Sequence, residues 1–197
     1  MPRQGLSVAV FRRDSCNVAA AAVFLDRDGV LNAVRVESGV PRPPRSIDTF
    51  EILPGVEEAC AALRRQGFRL IVVTNQPDIA RGAQTLEAVE LMNGELRRRV
   101  PLDDILMCPH DDHHNCDCRK PKPGMLLAAA RVHNIDLARS VMVGDRDKDV
   151  EAGRAAGCRT VFVDGGYGRR PVPEADLTVA SLRKAVPWII RCVKAGS

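Results

Sequence analysis

The 197-residue sequence has few aromatic residues and no long apolar run. Phe, Trp and Tyr make up 4% of the chain, so its core must consist mainly of Val, Leu, Ile and Ala. No apolar stretch approaches the roughly 20 residues that a membrane-spanning helix needs. Residues 1–17 contain three arginines and lack a long apolar centre, which does not fit a secretory signal peptide. We therefore expect a cytoplasmic protein that has no membrane partner.

The chain also has little net charge, because its 29 basic and 25 acidic residues leave only +4 at neutral pH. The arginines are scattered rather than gathered in a run, so nucleic acid is not an expected partner. The apolar share of 45% and the charged share of 27% are those of a globular protein. The length fits one domain. We expect an N-terminal extension at 1–19, a single domain at 20–197, and a monomer.

Short apolar runs of strand length alternate with stretches of helical spacing. We predict strands at 20–25, 68–73, 104–107, 141–143, 159–163 and 177–179, and helices at 55–66, 85–99, 124–133, 147–156 and 181–193. The helix at 85–99 should turn Leu86, Val89 and Leu96 inward, and residues 41–44 should form a stiff loop. Continuous apolar strands separated by helices are typical of a doubly wound α/β fold with a parallel sheet. We expect no large cap domain, because the interval 32–55 is short and the interval 75–108 is occupied by one helix and a strand.

Polar residues follow four of the predicted strands. Asp26 and Asp28 follow the first strand, Thr74 and Asn75 the second, and Asp145 the fourth. The third strand leads into a Cys/His-rich segment and then to Arg119-Lys120. Each signal alone has an ordinary explanation, such as an aspartate capping a turn or a solvated lysine. Parallel sheets place ligands beyond the carboxyl ends of their strands, so the set together predicts one site.

The residue types in this set suit phosphoryl transfer. Asp26 and Asp28 would repel each other without a cation, and Asp145 could supply a third oxygen to Mg²⁺. A carboxylate that attacks phosphorus forms an acyl phosphate and splits one displacement into two easier ones. Lys120 and the Thr74 hydroxyl are candidates for stabilising the phosphoryl oxygens, and Asp28 could transfer protons.

The Cys/His-rich segment at 108–118 predicts a second metal site. Its three thiols and one imidazole would form a closed, structural tetrahedral Zn²⁺ site, and the candidate ligands are Cys108, His110, Cys116 and Cys118. A labile disulfide or loose surface residues are the alternatives, and His113 or His114 could compete with His110. The remaining cysteines are interpreted as structural or surface thiols: Cys16, Cys60, Cys158 and Cys192.

Four motifs in order resemble the haloacid dehalogenase-type phosphatases over roughly residues 23–164. They are Asp26-Arg27-Asp28-Gly29-Val30-Leu31-Asn32, Val73-Thr74-Asn75-Gln76, Arg119-Lys120-Pro121 and Val143-Gly144-Asp145-Arg146. The resemblance implies that Asp26 is the nucleophile, that Asp28 is the general acid/base, and that Thr74 and Lys120 stabilise the phosphoryl group. It also implies that Mg²⁺ is held by Asp26, the backbone carbonyl of Asp28, and Asp145. Asp149 would support this site, and Lys122 is a competitor for the role of Lys120.

The zinc loop narrows the resemblance to a subgroup that contains phosphatases of heptose bisphosphates and of histidinol phosphate. Residues 74–82 and 116–125 resemble the sugar phosphatases, whereas the five-residue spacer in the zinc loop is shared with the histidinol-phosphate phosphatases. The implied partner is a small phosphorylated sugar, bound by Asn75, Arg119 and Arg146. Two arginines fit a bisphosphate better than a monophosphate. A zinc-stapled binding module without catalysis is the alternative from another class.

Overall fold

The computed structural model describes residues 19–37, 39–166, 172 and 174–194. Its strands are β1 (Ala22–Leu25), β2 (Arg35–Glu37), β3 (Val40–Arg42), β4 (Arg69–Asn75), β5 (Asp104–Cys108), β6 (Val141–Gly144), β7 (Arg159–Val163) and β8 (Leu177–Val179). Its α-helices are α1 (Val56–Arg65), α2 (Leu86–Arg99), α3 (Gly124–His133), α4 (Asp147–Ala155) and α5 (Leu182–Lys194). Apart from residue 19, the expected N-terminal extension lies outside the described residues, as does Cys16.

Six strands form one parallel sheet in the order β5-β4-β1-β6-β7-β8. Successive strand side chains point to opposite faces, so each strand contributes to two cores. Val23 and Leu25 pack with buried residues of α1 and α5, whereas Ala22 and Phe24 pack with those of α3 and α4. The expected doubly wound α/β sheet is thus confirmed. No helix among the described residues is long and apolar enough to cross a bilayer.

Two local expectations were wrong. The segment expected as a stiff loop at 41–44 instead contributes to β3, which pairs with β2 in an antiparallel hairpin. Leu86, expected to face inward, is 48% exposed because it is the first residue of α2, directly after the Thr85 cap. The helix buries Val89 and Leu96 as expected. The hairpin is small, and the absence of a large cap domain in the described chain is confirmed.

Asp103 joins α1 to β4 at the edge of the sheet remote from the strand-end site. Its carboxylate pairs with Arg64, accepts from Arg69 at 2.7 Å and accepts from the backbone N–H of Leu70 at 2.8 Å. Burial opposes ionisation, but these donors hold the pKa of Asp103 below its usual value. The carboxylate therefore stabilises the folded state in its charged form.

The carboxyl ends of β1, β4, β5 and β6 meet along one edge of the sheet. Thr74 and Asn75 are the last two residues of β4, and Asp145 directly follows β6. The turn after Asp28 needs a glycine, because a Cβ on Gly29 would lie 2.3 Å from Oδ2 of Asp145 and because its φ is +91°. This turn therefore allows the polar groups of β1 and β6 to approach closely.

Candidate active site

Lys120 lies at the centre of the strand-end cluster and is 2% exposed. Its ammonium contacts Asp26 Oδ1 at 2.8 Å, Asp149 Oδ1 at 2.6 Å and the Val73 carbonyl oxygen at 2.7 Å. Burial by itself disfavours the charge, but the two carboxylates raise the pKa of Lys120 above its ordinary value. Lys122, the competing lysine, is 43% exposed and instead pairs with a carboxylate in the zinc loop.

Asp26 is buried at the end of β1, and its carboxylate carries the ion pair with Lys120. Burial raises the pKa of Asp26 to about 6, although Lys120 acts in the opposite direction; Asp149 and Asp28 add to the rise. A carboxylate kept poorly solvated beside a lysine is a stronger nucleophile than one in water. Burial and the ion pair with Lys120 therefore act in opposite directions on the ionisation of Asp26.

Asp28 is held by side-chain donors on several sides. Its Oδ1 accepts from Asn32 Nδ2 at 3.0 Å, and its Oδ2 accepts from Gln76 Nε2 at 2.8 Å. The guanidinium of Arg27 contacts both oxygens at 3.1–3.3 Å and also donates to Asn93 of α2 at 3.1 Å. Arg27 is 0% exposed. Neither Arg27 nor Gln76 has a role predicted from the sequence, although both stand inside the quoted motifs.

Asn75, expected to bind substrate, is engaged with the backbone of Lys120. Its Nδ2 donates to the Lys120 carbonyl at 3.0 Å, and its Oδ1 accepts from the Lys120 N–H at 3.1 Å. This paired contact fixes the lysine-bearing loop to the end of β4. Asn75 also lines the cavity described below, so its position beside the site agrees with the expectation, while its amide contacts indicate a positioning role.

Three carboxylates could hold a divalent cation. One oxygen from each of Asp26, Asp145 and Asp149 lies within 4.8 Å of the others, and all three residues are buried. Hard carboxylate oxygens are the ligands that Mg²⁺ prefers, so the donor set fits this ion. Asp149 also accepts the backbone N–H of Arg146 at 3.0 Å, a contact that caps the first turn of α4. Its carboxylate therefore links the lysine to the helix beside the candidate metal site.

The four candidate zinc ligands converge on one point beside β5. Cys118 Sγ lies 3.2 Å from Cys108 Sγ and 3.3 Å from Cys116 Sγ, and His110 Nδ1 lies 3.4 Å from Cys118 Sγ. Sulfurs bound to one tetrahedral zinc stand about 3.8 Å apart, so the donor set and spacing fit that metal. His114 instead accepts the backbone N–H of Asp111 at 3.2 Å. His110 is thus the imidazole that joins the cluster.

A cavity of about 290 Å³ opens above Asp26 and Asp28. The β2–β3 hairpin covers part of it through residues 40–43, and its cationic lining residues are Arg42, Arg81, Arg119, Lys120, Arg146 and Lys148. Arg119 and Arg146 were expected there, whereas Arg42, Arg81 and Lys148 were not. Five carboxylates also line the cavity, so the cationic groups exceed the anionic ones by one; these acids are Asp26, Asp28, Asp78, Asp147 and Asp149. The arginines suit an anionic ligand.

Zinc-loop acids hold several of these cations in place. Asp111 accepts from Arg81 Nε at 2.6 Å and Nη2 at 2.7 Å, and Asp112 accepts from Arg119 Nε at 2.7 Å. Arg119 also donates to the carbonyl of His110 at 3.2 Å and is 12% exposed at its side chain. Arg146 has no such clamp in the zinc loop; its side chain is 49% exposed, and its Nε lies 3.9 Å from Asp145. The loop at 108–118 therefore holds Arg119 more tightly than Arg146.

The doubly wound sheet and its strand-end carboxylates define a hydrolase of the haloacid dehalogenase class. A family model described as HAD-hydrolase-like matches residues 117–185. The D-glycero-beta-D-manno-heptose-1,7-bisphosphate 7-phosphatase of Vibrio cholerae is 40% identical, covering 90% of this chain and 100% of that protein. The enzyme of the same name from Escherichia coli K12 is 42% identical, covering 86% and 87%. The chain therefore belongs to the haloacid dehalogenase-like phosphatase family, in the branch that contains these enzymes.

Solved structures agree with this assignment. The crystal structure of D,D-heptose 1,7-bisphosphate phosphatase from B. bronchiseptica, complexed with magnesium and phosphate, has a TM-score of 0.76 and 31% identity. The match covers 87% of this chain and 98% of that chain. A structure of the enzyme from Burkholderia thailandensis has a TM-score of 0.60 and 30% identity, covering 86% and 98%. The protein is thus a phosphoric monoester hydrolase.

Proposed function

We propose that this phosphatase removes the 7-phosphate of D-glycero-β-D-manno-heptose 1,7-bisphosphate through an aspartyl phosphate on Asp26. The observation that carries the mechanism is the buried Asp26–Lys120 contact of 2.8 Å at the floor of the cationic cavity. It puts a nucleophile and a counter-charge for the phosphoryl oxygens side by side. The names of the relatives from Vibrio cholerae and Escherichia coli support the choice of substrate.

In the first step, a carboxylate oxygen of Asp26 attacks phosphorus while the bond from phosphorus to the sugar oxygen breaks. Asp28, in its protonated form, gives its proton to the departing oxygen. Lys120 and the Thr74 hydroxyl contact the phosphoryl oxygens as their charge is redistributed. The products of this step are the free sugar hydroxyl and a phosphate ester of the Asp26 carboxyl group.

In the second step, water attacks the phosphorus of the acyl phosphate. Asp28 accepts a proton from that water, the bond to Asp26 breaks, and inorganic phosphate leaves. Asp26 returns as a carboxylate and Asp28 as an acid. One water is consumed for each phosphate released, and each group regains its starting state.

Mg²⁺ would be held by Asp26, the backbone carbonyl of Asp28, and Asp145, and when bound it neutralises the charge between nucleophile and phosphate. The close approach of the buried Asp26 and Asp145 carboxylates supports two of these ligands, and the third carboxylate of the group, Asp149, pairs with Lys120. Lys120 balances part of the same negative charge in every state. Asp149 anchors the lysine and holds the start of α4.

Zn²⁺ would be held by Cys108, His110, Cys116 and Cys118 and would have a structural role. All four positions are occupied by protein ligands, so no coordination site is left for water. The loop presents the acids that clamp Arg81 and Arg119, and Lys120 follows two residues after Cys118. Zinc therefore shapes the substrate cavity indirectly. The single domain, the monomeric state and the cytoplasmic location remain predictions.

The second phosphate of the bisphosphate would be bound by the cations at the cavity mouth. Arg119 and Arg146 line the cavity with Arg42 and Arg81, and an arginine fork suits phosphate oxygens. Asn75 would act beside them by holding the Lys120 backbone. The arginines at the cavity mouth suit a second phosphate, whereas histidinol phosphate carries one phosphate and a cationic amine that they would repel.

The test compares kcat/KM for the heptose bisphosphate and for histidinol phosphate with Mg²⁺ present. We expect a preference of at least about a hundredfold for the bisphosphate, since the second phosphate contributes charge-assisted hydrogen bonds. Asp26→Asn should abolish turnover of both substrates. Asp48→Asn is the matched control, because Asp48 is exposed on a short 3₁₀ helix outside the cavity lining. A preference for histidinol phosphate would overturn the substrate, and an active Asp26→Asn protein would overturn the mechanism.

A further inference from the structure

We propose that Gln76 is a positioning residue that orients Asp28 for proton donation and links it to Thr74. The inference rests on the proposed function, in which Asp28 is the general acid/base and Thr74 stabilises the phosphoryl group. Gln76 directly follows β4 and is 2% exposed. Gln76 lies between Thr74, which would stabilise the phosphoryl group, and Asp28, which would protonate the departing sugar oxygen.

The amide of Gln76 contacts both groups at once. Nε2 lies 2.8 Å from Asp28 Oδ2 and 2.9 Å from Thr74 Oγ1. An amide nitrogen carries two hydrogens, so both contacts can be donated together. The opposite amide orientation would point the Gln76 carbonyl at the Asp28 carboxylate, which is repulsive. The orientation in the structure places Gln76 Nε2, rather than its carbonyl, against both groups.

The other neighbours of Asp28 are donors as well. Arg27 contacts both carboxylate oxygens and Asn32 Nδ2 donates to Oδ1. Because arginine has no acceptor atom and these contacts are made by N–H groups, none of them can receive a proton from Asp28. An acidic hydrogen on Asp28 must therefore point away from the donors, toward the cavity that Asp28 lines. Gln76 favours this direction of the Asp28 hydrogen, because its Nε2 occupies the side of the carboxyl group that faces Thr74.

The side chain of Gln76 is not needed to hold its own backbone. The backbone N–H of Gln76 donates to the Cys108 carbonyl at 2.8 Å, independently of the amide. Gln84 provides a contrast, since it is also buried, but its amide donates to the Pro44 and Arg45 carbonyls at 3.2 and 3.3 Å. Gln84 thus stabilises a loop, whereas Gln76 contacts two groups of the reaction.

The experiment measures how kcat/KM depends on the leaving group, using the Mg²⁺-loaded full-length protein and a series of substituted phenyl phosphates. For this enzyme kcat/KM covers only the steps through departure of the leaving group. Nitrophenolate departs without a proton, whereas phenolate benefits from one. For Gln76→Met we expect kcat/KM to fall about tenfold with phenyl phosphate and less than about threefold with p-nitrophenyl phosphate. The tenfold fall corresponds to the loss of one hydrogen bond to a charged group. Gln84→Met should leave the slope unchanged.

A double-mutant cycle separates positioning through Asp28 from a general structural effect. Asp28→Asn should steepen the leaving-group dependence strongly, and adding Gln76→Met should not steepen it further, because the two residues act as one unit. Gln76→Asn, which keeps a shorter amide, should lie between wild type and Gln76→Met and serves if the Met variant does not fold.

The outcomes distinguish the two levels of the proposal. Equal losses for both phenyl esters, or additive slopes in the double variant, would overturn the role of Gln76 and leave the proposed function intact. A leaving-group slope that Asp28→Asn does not change would overturn both the acid role of Asp28 and the positioning role of Gln76. An inactive Asp26→Asn protein together with the expected slopes would support both.

Discussion

Replacing Lys120 by methionine tests the electrostatic centre of the site. The ammonium contacts two buried carboxylates and one carbonyl at 2.6–2.8 Å, so all three of its hydrogens have acceptors. Lys120→Met leaves Asp26 and Asp149 buried without their cation. Losing one partner of such a buried pair lowers the free energy of unfolding by about 3–5 kcal/mol. We expect a loss near the lower end of this range, because the pKa of Asp26 is raised and its carboxyl group can take up a proton.

The same substitution removes the cation beside the phosphoryl group. Loss of one preorganised donor to a developing charge lowers the rate about 10²- to 10³-fold. The assays are urea unfolding without added Mg²⁺ and kcat/KM with saturating Mg²⁺. Lys122→Met is the matched control, because Lys122 is two residues away and 43% exposed. Wild-type stability in Lys120→Met would show that the ammonium does not stabilise the two buried carboxylates. More than a tenth of wild-type kcat/KM would show that Lys120 does not stabilise the phosphoryl group.

Three further changes have expected outcomes. Asp103→Asn should lower the free energy of unfolding by about 1–2 kcal/mol at neutral pH. The folded-state pKa of Asp103 is depressed, so the difference from wild type in urea titrations should disappear as the pH falls through that pKa. Asp111→Asn should release Arg81, raising KM for the bisphosphate about three- to tenfold with kcat within about twofold. Cys116→Ser should lower the zinc content measured by mass spectrometry and reduce kcat/KM, because the cavity loop loses a metal ligand.

Each of these has an outcome that would count against it. A constant difference in stability at every pH would show that the charge of Asp103 is not what stabilises the fold. A fall in kcat with unchanged KM in Asp111→Asn would place that residue in the chemical step rather than at the cavity mouth. Zinc-free Cys116→Ser protein with unaltered kcat/KM would remove the link between the metal and the site.

Elements whose signals are local could be predicted from the sequence. The apolar runs of the six parallel strands, and the polar residues directly after β1 and β6, depend on neighbouring positions alone. Their convergence follows from the parallel arrangement, which brings carboxyl ends to one edge. The convergence of the Cys/His cluster was predictable for the same reason, since Cys108 and Cys118 stand within one short segment.

Features that depend on distant contacts could not be predicted in this way. Arg27 stands between two aspartates and resembles a solvated residue, but it is buried because Asn93 of α2 and Asp28 accept its hydrogen bonds. The β2–β3 hairpin has three-residue strands and contains Pro41, so it carries little strand pattern. Leu86 satisfies helical spacing, but as the first residue of α2 it points to solvent.

The grouping of cations at the cavity mouth also depends on contacts between residues distant in sequence. Arg42 comes from the hairpin, Arg81 from the loop after β4, and Lys148 from α4. In the sequence they are ordinary members of a scattered basic set. Only the tertiary arrangement shows that they face one cavity with Arg119 and Arg146.

The role of Asp26 is tested by following the hydrolysis of heptose 1,7-bisphosphate by ³¹P NMR, with wild-type and Asp26→Asn proteins side by side. We expect wild-type protein to release inorganic phosphate from the 7-position and to leave the 1-phosphate in place, while Asp26→Asn releases none. Release from the 1-position would contradict the proposed substrate orientation. Continued release by Asp26→Asn would contradict the central claim that the Asp26 carboxylate accepts the phosphoryl group.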